Sequence, residues 1–337
     1  MNEPSSETGS AKGSLQPTDE APTLTGRPTA LVNAAKTREA RCRVPVSVLM
    51  STYAGETAEN LDEAVESIFA QTVRPVELVV VLDGPIGAEQ EAILERYRAR
   101  SAEIPIVCVN LGKNVGLANA LNAGLSRCQG QYICRMDSDD VCVPHRLERQ
   151  WAVAQRHPEV DCIGAWHLEF QTEIKMCDRM KTAPEFHEGI VRALKWRNVF
   201  SHPTMLVKTE ALTGIGGYRH FKLGLSVFGK TLFEDYDCLI RLIQSGRRLH
   251  VIQEPLLYFR RTRAQMRRRG GLSFLVRDLT FRFHHVRTGF FPIGHVLIYA
   301  PVAVCCHLAP SFFRSSLYLL VREPINGRHF DGGEPQP

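Results

Sequence analysis

The chain has 337 residues, 44% hydrophobic and 23% charged, with a net charge of only +5. That is ordinary globular composition, ample for one large core or two modest ones. Ten cysteines are scattered from Cys42 to the Cys305-Cys306 pair without Cys-x-x-Cys or Cys/His zinc spacing, so a zinc module is excluded.

Residues 1–40 are rich in Ser, Thr, Pro, Gly and Glu, lack a hydrophobic period, and are expected to be a disordered tail. They do not follow the charged-then-apolar plan of a secretion signal. The cysteines are therefore expected to be reduced, mostly buried thiols of a cytoplasmic protein.

Order is expected from Val44. Val44 to Met50 reads as a strand that stops at Ser51-Thr52-Tyr53-Ala54-Gly55-Glu56. Leu61, Ala64, Val65, Ile68 and Phe69 then recur at helical spacing. Val76 to Leu82 is apolar on both faces, as a buried parallel strand is, and ends in Asp83-Gly84-Pro85. A helix over Ala88–Arg100 and a strand over Ile104–Val109 follow. Asn114-Val115-Gly116 then leads into a helix through Leu125, and Tyr132 to Met136 is the next strand. Strands alternating with helices predict an α/β fold with a mostly parallel sheet.

Thr52, Asp83, Asn114 and Asp137 to Asp140 each lie just past the carboxyl end of a strand. Ligands bind at that rim in open α/β sheets. Asp137, Asp139 and Asp140 crowd within four residues. Crowded carboxylates repel one another unless a positive charge lies between them. A hard cation, Mg²⁺ or Mn²⁺, suits such a set and leaves positions open for phosphates. An acidic turn capping the helix opened by Pro144 is the plainer alternative.

The second half is less regular. A strand is expected over Pro203–Lys208, a turn over Gly214–Tyr218, and a helix from Glu234-Asp235-Tyr236-Asp237 to Gln244. Short strands are expected within Leu249–Arg260, an arginine cluster over 260–269, and an amphipathic helix near Leu272–Val286. From Arg241 to Phe290 there are twelve arginines and two acids. Such a stretch points to phosphate, anionic lipid or nucleic acid, or to a solvated basic face. It lacks the interleaved aromatics of a base-stacking surface, so a nucleic-acid partner is not the expected one. From Thr288 to Phe313 no residue carries a full charge, a length that spans a bilayer. Pro292, Pro301 and Pro310 interrupt it, and His295 and His307 dilute it. The favoured expectation is a helical hairpin or interfacial segment dipping into one leaflet. A spanning helix and ordinary core or dimer contact are the alternatives.

Several motifs, kept in order, resemble family 2 glycosyltransferases of the GT-A fold. They are Val46-Ser47-Val48-Leu49-Met50-Ser51-Thr52-Tyr53, the Leu61–Thr72 helix ending Ser67-Ile68-Phe69-Ala70-Gln71-Thr72, and Val79-Val80-Val81-Leu82-Asp83-Gly84. Asn114-Val115-Gly116-Leu117 with Asn122 and Gly124, Arg135 to Asp140, and Gly217-Tyr218 followed by Glu234-Asp235-Tyr236-Asp237 complete the set. Arg197-Asn198, His202-Pro203-Thr204 and Arg268-Arg269-Gly270-Gly271 narrow the likeness to the bacterial exopolysaccharide branch, of amylovoran-biosynthesis type. The likeness runs from about Val44 to about Gly271.

The resemblance implies a Rossmann-like nucleotide-binding sheet with a helical carboxyl-terminal extension. With the composition outside the matched stretch, the expected parts are a disordered tail at 1–40, a catalytic domain at 44–260, a basic and apolar membrane-associating region at 261–325, and a flexible tail at 326–337. It implies an inverting hexosyltransferase using a UDP or dTDP type sugar donor and a lipid-linked saccharide acceptor. The enzyme would lie in the cytoplasm, peripheral on the inner face of the bacterial inner membrane, against an anionic surface.

By the same resemblance, Asp83 accepts a hydrogen bond from the nucleotide base, with Thr52 and Glu56 lining base or ribose. For Glu56 a helix-capping role is nearly as good. Asn114 and Gly116 form the loop that lets backbone approach the nucleotide, while Asn122 and Gly124 are read as helix-packing residues. Asp139 is the metal ligand and Asp137 lies near metal and ribose. Asp235 is the general base, with Glu234 a lesser candidate or positioning group, and Asp237 points away. His202, Arg260, Arg263 and Arg268 are candidates for acceptor or phosphate. Two rivals remain: a nucleotidyltransferase on a similar fold, and a non-catalytic membrane or nucleic-acid binding protein acting through the arginines alone.

Overall fold

The computed structural model describes residues 42–219, 233–261 and 271–308. The tails at 1–40 and 326–337 and most of the 260–269 arginine cluster lie outside them.

Strand β1 (Arg43–Thr52) leads into α1 (Ala58–Phe69), β2 (Arg74–Leu82), α2 (Ala88–Arg98), β3 (Ile106–Asn110), α3 (Leu117–Leu125) and β4 (Tyr132–Asp137). Each expected element of the first half is present. Thr57 caps α1 by accepting from the Asn60 backbone N–H at 3.2 Å. Gly116 begins α3 at φ +84°, a left-handed conformation that favours glycine.

After β4 come β5 (Val141–Cys142), α4 (Arg146–Arg156), β6 (Cys162–Phe170), β7 (Arg179–Lys181), α5 (His187–Leu194), β8 (Leu206–Lys208) and α6 (Thr209–Gly214). Then follow α7 (Glu234–Gln244), β9 (Leu249–Arg260), α8 (Leu272–Arg287) and α9 (Ile293–Leu308). Where one strand was expected from Pro203, a 3-10 turn at His202–Thr204 precedes β8, since Pro203 has no N–H to give a ladder. Leu249–Arg260 is one twelve-residue strand rather than several. It pairs parallel to β6, with register shifts between Ala165 and Leu168.

The described strands form one nine-stranded sheet in the order β3-β2-β1-β4-β8-β6-β9-β5, with β7 on β6. β1, β2, β3 and β4 pair in parallel. The chain builds outward from β1 to β3, then returns to the other side of β1. That reversal leaves a crevice at the carboxyl ends of β1 and β4. Register sets Ser51 opposite Asp137 and Thr52 opposite Leu82, which brings the polar strand ends to one rim.

Alternate strand residues serve opposite faces. Leu49, Val79, Val81 and Ile133 pack into one core with α3 and α7, while Val48, Met50, Leu78, Val80 and Cys134 pack into the other with α1. Phe281, Phe290, Phe291 and Val296 of the α8–α9 hairpin join the first core. Gly124 packs as expected: a Cβ there would meet Leu49 and Val81 at 2.4 and 2.6 Å.

Candidate active site

The acidic loop grows from the end of β4. Arg135, almost wholly buried, forms an ion pair with Asp137. Asp137, Asp139 and Asp140 each offer a carboxylate oxygen, all within 4.8 Å of one another. Burial first, then Asp137 and Glu56, pushes the Asp139 carboxyl up to about 7. Burial, then Asp139 and Asp137, raises Asp140 well above the usual carboxylate range. Asp140 Oδ1 accepts from the Arg260 backbone N–H at 2.8 Å, while its buried Oδ2 has no hydrogen-bond partner. Three crowded oxygen donors, one of them orphaned, fit a hard divalent cation, which would relieve both repulsion and desolvation.

Arg260, expected as a phosphate contact, is engaged with this loop. Its Nε donates to the Asp139 carbonyl at 2.8 Å, its guanidinium pairs with Glu63, and it lies 4.6 Å over the Phe170 ring. It is a clamp on the loop backbone. Arg263 and Arg268 lie outside the described residues.

The next rim position is Asp83, which is buried. Its oxygens accept from the backbone N–H groups of Val115 and Gly116 at 2.6 and 3.1 Å, and its carbonyl accepts from the Asn114 side chain at 3.1 Å. Asp83 thereby shapes the 114–116 loop. A base would meet only the second lone pairs of its oxygens. The Thr52 hydroxyl is buried without a hydrogen-bond partner. Glu56 caps α1, accepting from Thr57 N–H at 3.0 Å and the Asn60 side chain at 2.8 Å. It also adds to the field at Asp139.

The other half of the site is the start of α7. Phe233 just before it has φ +74°, the only non-glycine with positive φ among the described residues. Such a backbone costs about 1–3 kcal/mol and persists where surroundings hold it. The rings of Phe274 and Phe281, 5.6 and 5.0 Å away, do so. Asp235 Oδ1 accepts from Tyr236 N–H and Oδ2 from the Asn198 side chain, both at 2.8 Å. Glu234 is pushed up to about 7 by burial, then by Asp235, with Arg135 opposing and Asp137 adding to the rise. The start of α7 therefore shares an electrostatic field with the acidic loop. Asp237 is excluded from solvent and paired with Arg241 at 2.7 Å, so it does point away.

His202, expected near an acceptor, lies buried beneath this region. Its Nε2 is 3.1 Å from the Tyr218 hydroxyl, and burial, then Arg135, holds its pKa well below the ordinary value. It is therefore neutral and does not line the open rim. Asn122 spans to the same turn, bonding Tyr218 N–H and C=O at 2.8 and 2.7 Å. An open cleft of about 290 Å³ lies elsewhere, around His157, His187 and His250, and includes none of the acidic loop.

Residues 47–213 match the model of Glycosyl transferase family 2. The amylovoran biosynthesis glycosyltransferase AmsE of Erwinia amylovora is 33% identical over 229 residues, covering 68% of this chain and 81% of that protein. The chain belongs to glycosyltransferase family 2. A UDP-Gal:alpha-D-GlcNAc-diphosphoundecaprenol beta-1,3-galactosyltransferase of Escherichia coli is 27% identical over 272 residues, 81% of this chain and 94% of that one. Among solved structures, the mannosyltransferase PcManGT from Pyrobaculum calidifontis, in complex with GDP-Man and Mn²⁺, has a TM-score of 0.54 at 16% identity, covering 88% of each chain. S. aureus TarS 1-349 with UDP-GlcNAc has a TM-score of 0.52 at 16% identity, covering 82% of this chain and 72% of that one. The fold of this glycosyltransferase is thus the expected GT-A fold, with carboxyl-terminal helices. Asn198, part of the Arg197-Asn198 motif but given no role from the sequence, holds Asp235 by its side-chain hydrogen bond.

Proposed function

We propose that this glycosyltransferase moves a sugar from a UDP or dTDP type donor to a lipid-linked saccharide, with inversion, in bacterial surface polysaccharide synthesis. The observation that carries it is the cluster of Asp137, Asp139 and Asp140 carboxylates at the carboxyl end of β4 in a family 2 fold. The E. coli relative whose name gives a diphosphoundecaprenol acceptor supports the acceptor class.

Asp139 and Asp137 would hold Mg²⁺ or Mn²⁺, with Asp140 closing the set. The cation would offset the charge of the donor diphosphate. Asp83 and the 114–116 loop shape the nucleotide side. Asp235 takes the proton of the attacking acceptor hydroxyl, with Asn198 fixing its carboxylate plane. Attack opposite the leaving group inverts the anomeric centre in one step. Glu234, beside Asp235, positions the base or touches the acceptor. The acceptor lipid places the enzyme at the cytoplasmic face of a membrane, as a peripheral protein.

The test is turnover of a nucleotide-sugar panel with and without Mn²⁺, comparing wild type with Asp139→Ala and Asp235→Asn. Metal-dependent transfer from one donor, lost in both variants, is expected. Folded protein that neither binds nor turns over any donor would sink the reading. Nucleotidyl transfer surviving Asp235→Asn would replace it.

A further inference from the structure

Helix α9 buries Val296 and Ala303 but is apolar on its exposed side as well. Its inward residues include polar ones: the Tyr299 hydroxyl donates to Asp278 at 2.6 Å, His307 lies 3.8 Å from the same carboxylate, and His295 packs on Trp196 with ring centroids 4.1 Å apart. Its outward residues are apolar. Every exposed position described on α9 is Ile293, Gly294, Leu297, Ile298, Pro301, Val302, Val304 or Cys305. Leu297 and Ile298 are 63% and 64% exposed. At 3.6 residues per turn these positions sweep roughly half the helix circumference.

A surface helix in water turns polar residues outward. A contiguous apolar face of this kind marks an interaction site. Charge around it selects the occupant. The one acid of the hairpin, Asp278, is buried and paired with Arg282 at 3.3 Å. Arg287 at the end of α8 and Arg192 near the end of α5 are exposed, and Lys195 is half-exposed beside Trp196. Trp196, itself 43% exposed against α9, has the amphipathic ring that favours a membrane–water boundary. Among the described residues no helix is long and apolar enough to cross a membrane.

We propose that α9 is a membrane-docking helix: its Ile293–Val304 face lies in the acyl boundary of one anionic leaflet, with Arg192, Lys195 and Arg287 at the headgroups. The helix lies in the plane of the leaflet, sunk by roughly 5–10 Å. This deepens the location proposed above, yet it rests on α9 and needs neither a particular donor nor a particular acceptor.

The test is sedimentation of the full chain with phosphatidylcholine vesicles and with vesicles containing phosphatidylglycerol. The expected result is binding to the anionic vesicles and little to the neutral ones. Leu297→Asp/Ile298→Asp should weaken that binding by at least about tenfold. The same variant should keep the wild-type circular dichroism and donor hydrolysis, which separates failed docking from failed chemistry or folding. Vesicle binding unchanged in the variant, or absent from wild type, would overturn the proposal. So would a dimer in solution that the double substitution splits into monomers, since a second copy would then own the face.

Discussion

The Asn198 side chain donates to Asp235 Oδ2 at 2.8 Å, across 37 residues of sequence. Asn198 Oδ1 accepts from Phe200 N–H at 3.2 Å, which fixes the amide so that its NH₂ faces Asp235. Backbone and amide together hold both carboxylate oxygens. A hydrogen bond to a charged group contributes about 1.5–3 kcal/mol. Asn198→Ala should therefore lower kcat by roughly 10–100-fold, with little change in donor KM. Asn198→Asp should be worse, because it sets a second carboxylate against the first. Steady-state kinetics with a thermal melt check this; a KM effect alone would make Asn198 a binding residue.

Glu234 gives the metal-free protein a pH signature. Its helix start favours the carboxylate, but burial and Asp235 outweigh the dipole and push it up to about 7. The folded state thus binds its proton more tightly than the unfolded chain. Stability is full below the unfolded value of about 4.3 and falls as pH rises to about 7. Tm should drop by a few degrees across that window, with Asp139 and Asp140 adding to the fall, and Glu234→Gln should make the drop shallower. An equal slope in the variant would assign the effect to other groups.

Much of this site was legible because its signals are local. Asp83-Gly84, Asn114-Val115-Gly116 and Asp137 to Asp140 each follow a run with strand character, so their place at one rim follows from the parallel sheet. What was not legible depends on distant partners. Nothing near Asn198 announces Asp235, and nothing near Arg260 announces the Asp139 carbonyl. β6 was not among the expected strands; its Gly164 lies against Phe200 from a distant turn, where a Cβ would meet that ring at 2.6 Å. The uncharged stretch after Thr288 was visible, but only packing shows that its polar residues point inward.

Cation binding should be measurable without turnover. A cation that binds the folded protein at a hundred times its Kd adds about 2.7 kcal/mol of stability by mass action. Mn²⁺ should raise the wild-type Tm, and Asp139→Ala should abolish the rise. Arg260→Ala leaves the three carboxylates in place but removes the donor to the Asp139 carbonyl and the pair with Glu63. It should weaken the Mn²⁺ effect by roughly tenfold in concentration, as loss of outer supports does at metal sites. An unchanged Mn²⁺ titration would reduce Arg260 to packing on Phe170.

Gly84 should tolerate no side chain. It sits at φ +94°, where L residues are strained, and a Cβ would stand 2.9 Å from the Asn114 backbone nitrogen. The contact is with backbone, and the Asn114–Gly116 loop is tied to both Asp83 oxygens, so it gives way only by losing those bonds. Gly84→Ala must therefore push the loop away from Asp83 or twist the end of β2. Strained backbone of this kind costs about 1–3 kcal/mol. The expected outcome is a lower Tm together with weaker nucleoside diphosphate binding, read by calorimetry, and binding should fall further than stability alone explains. A variant that loses stability but binds the nucleotide normally would remove the 114–116 loop from the donor site.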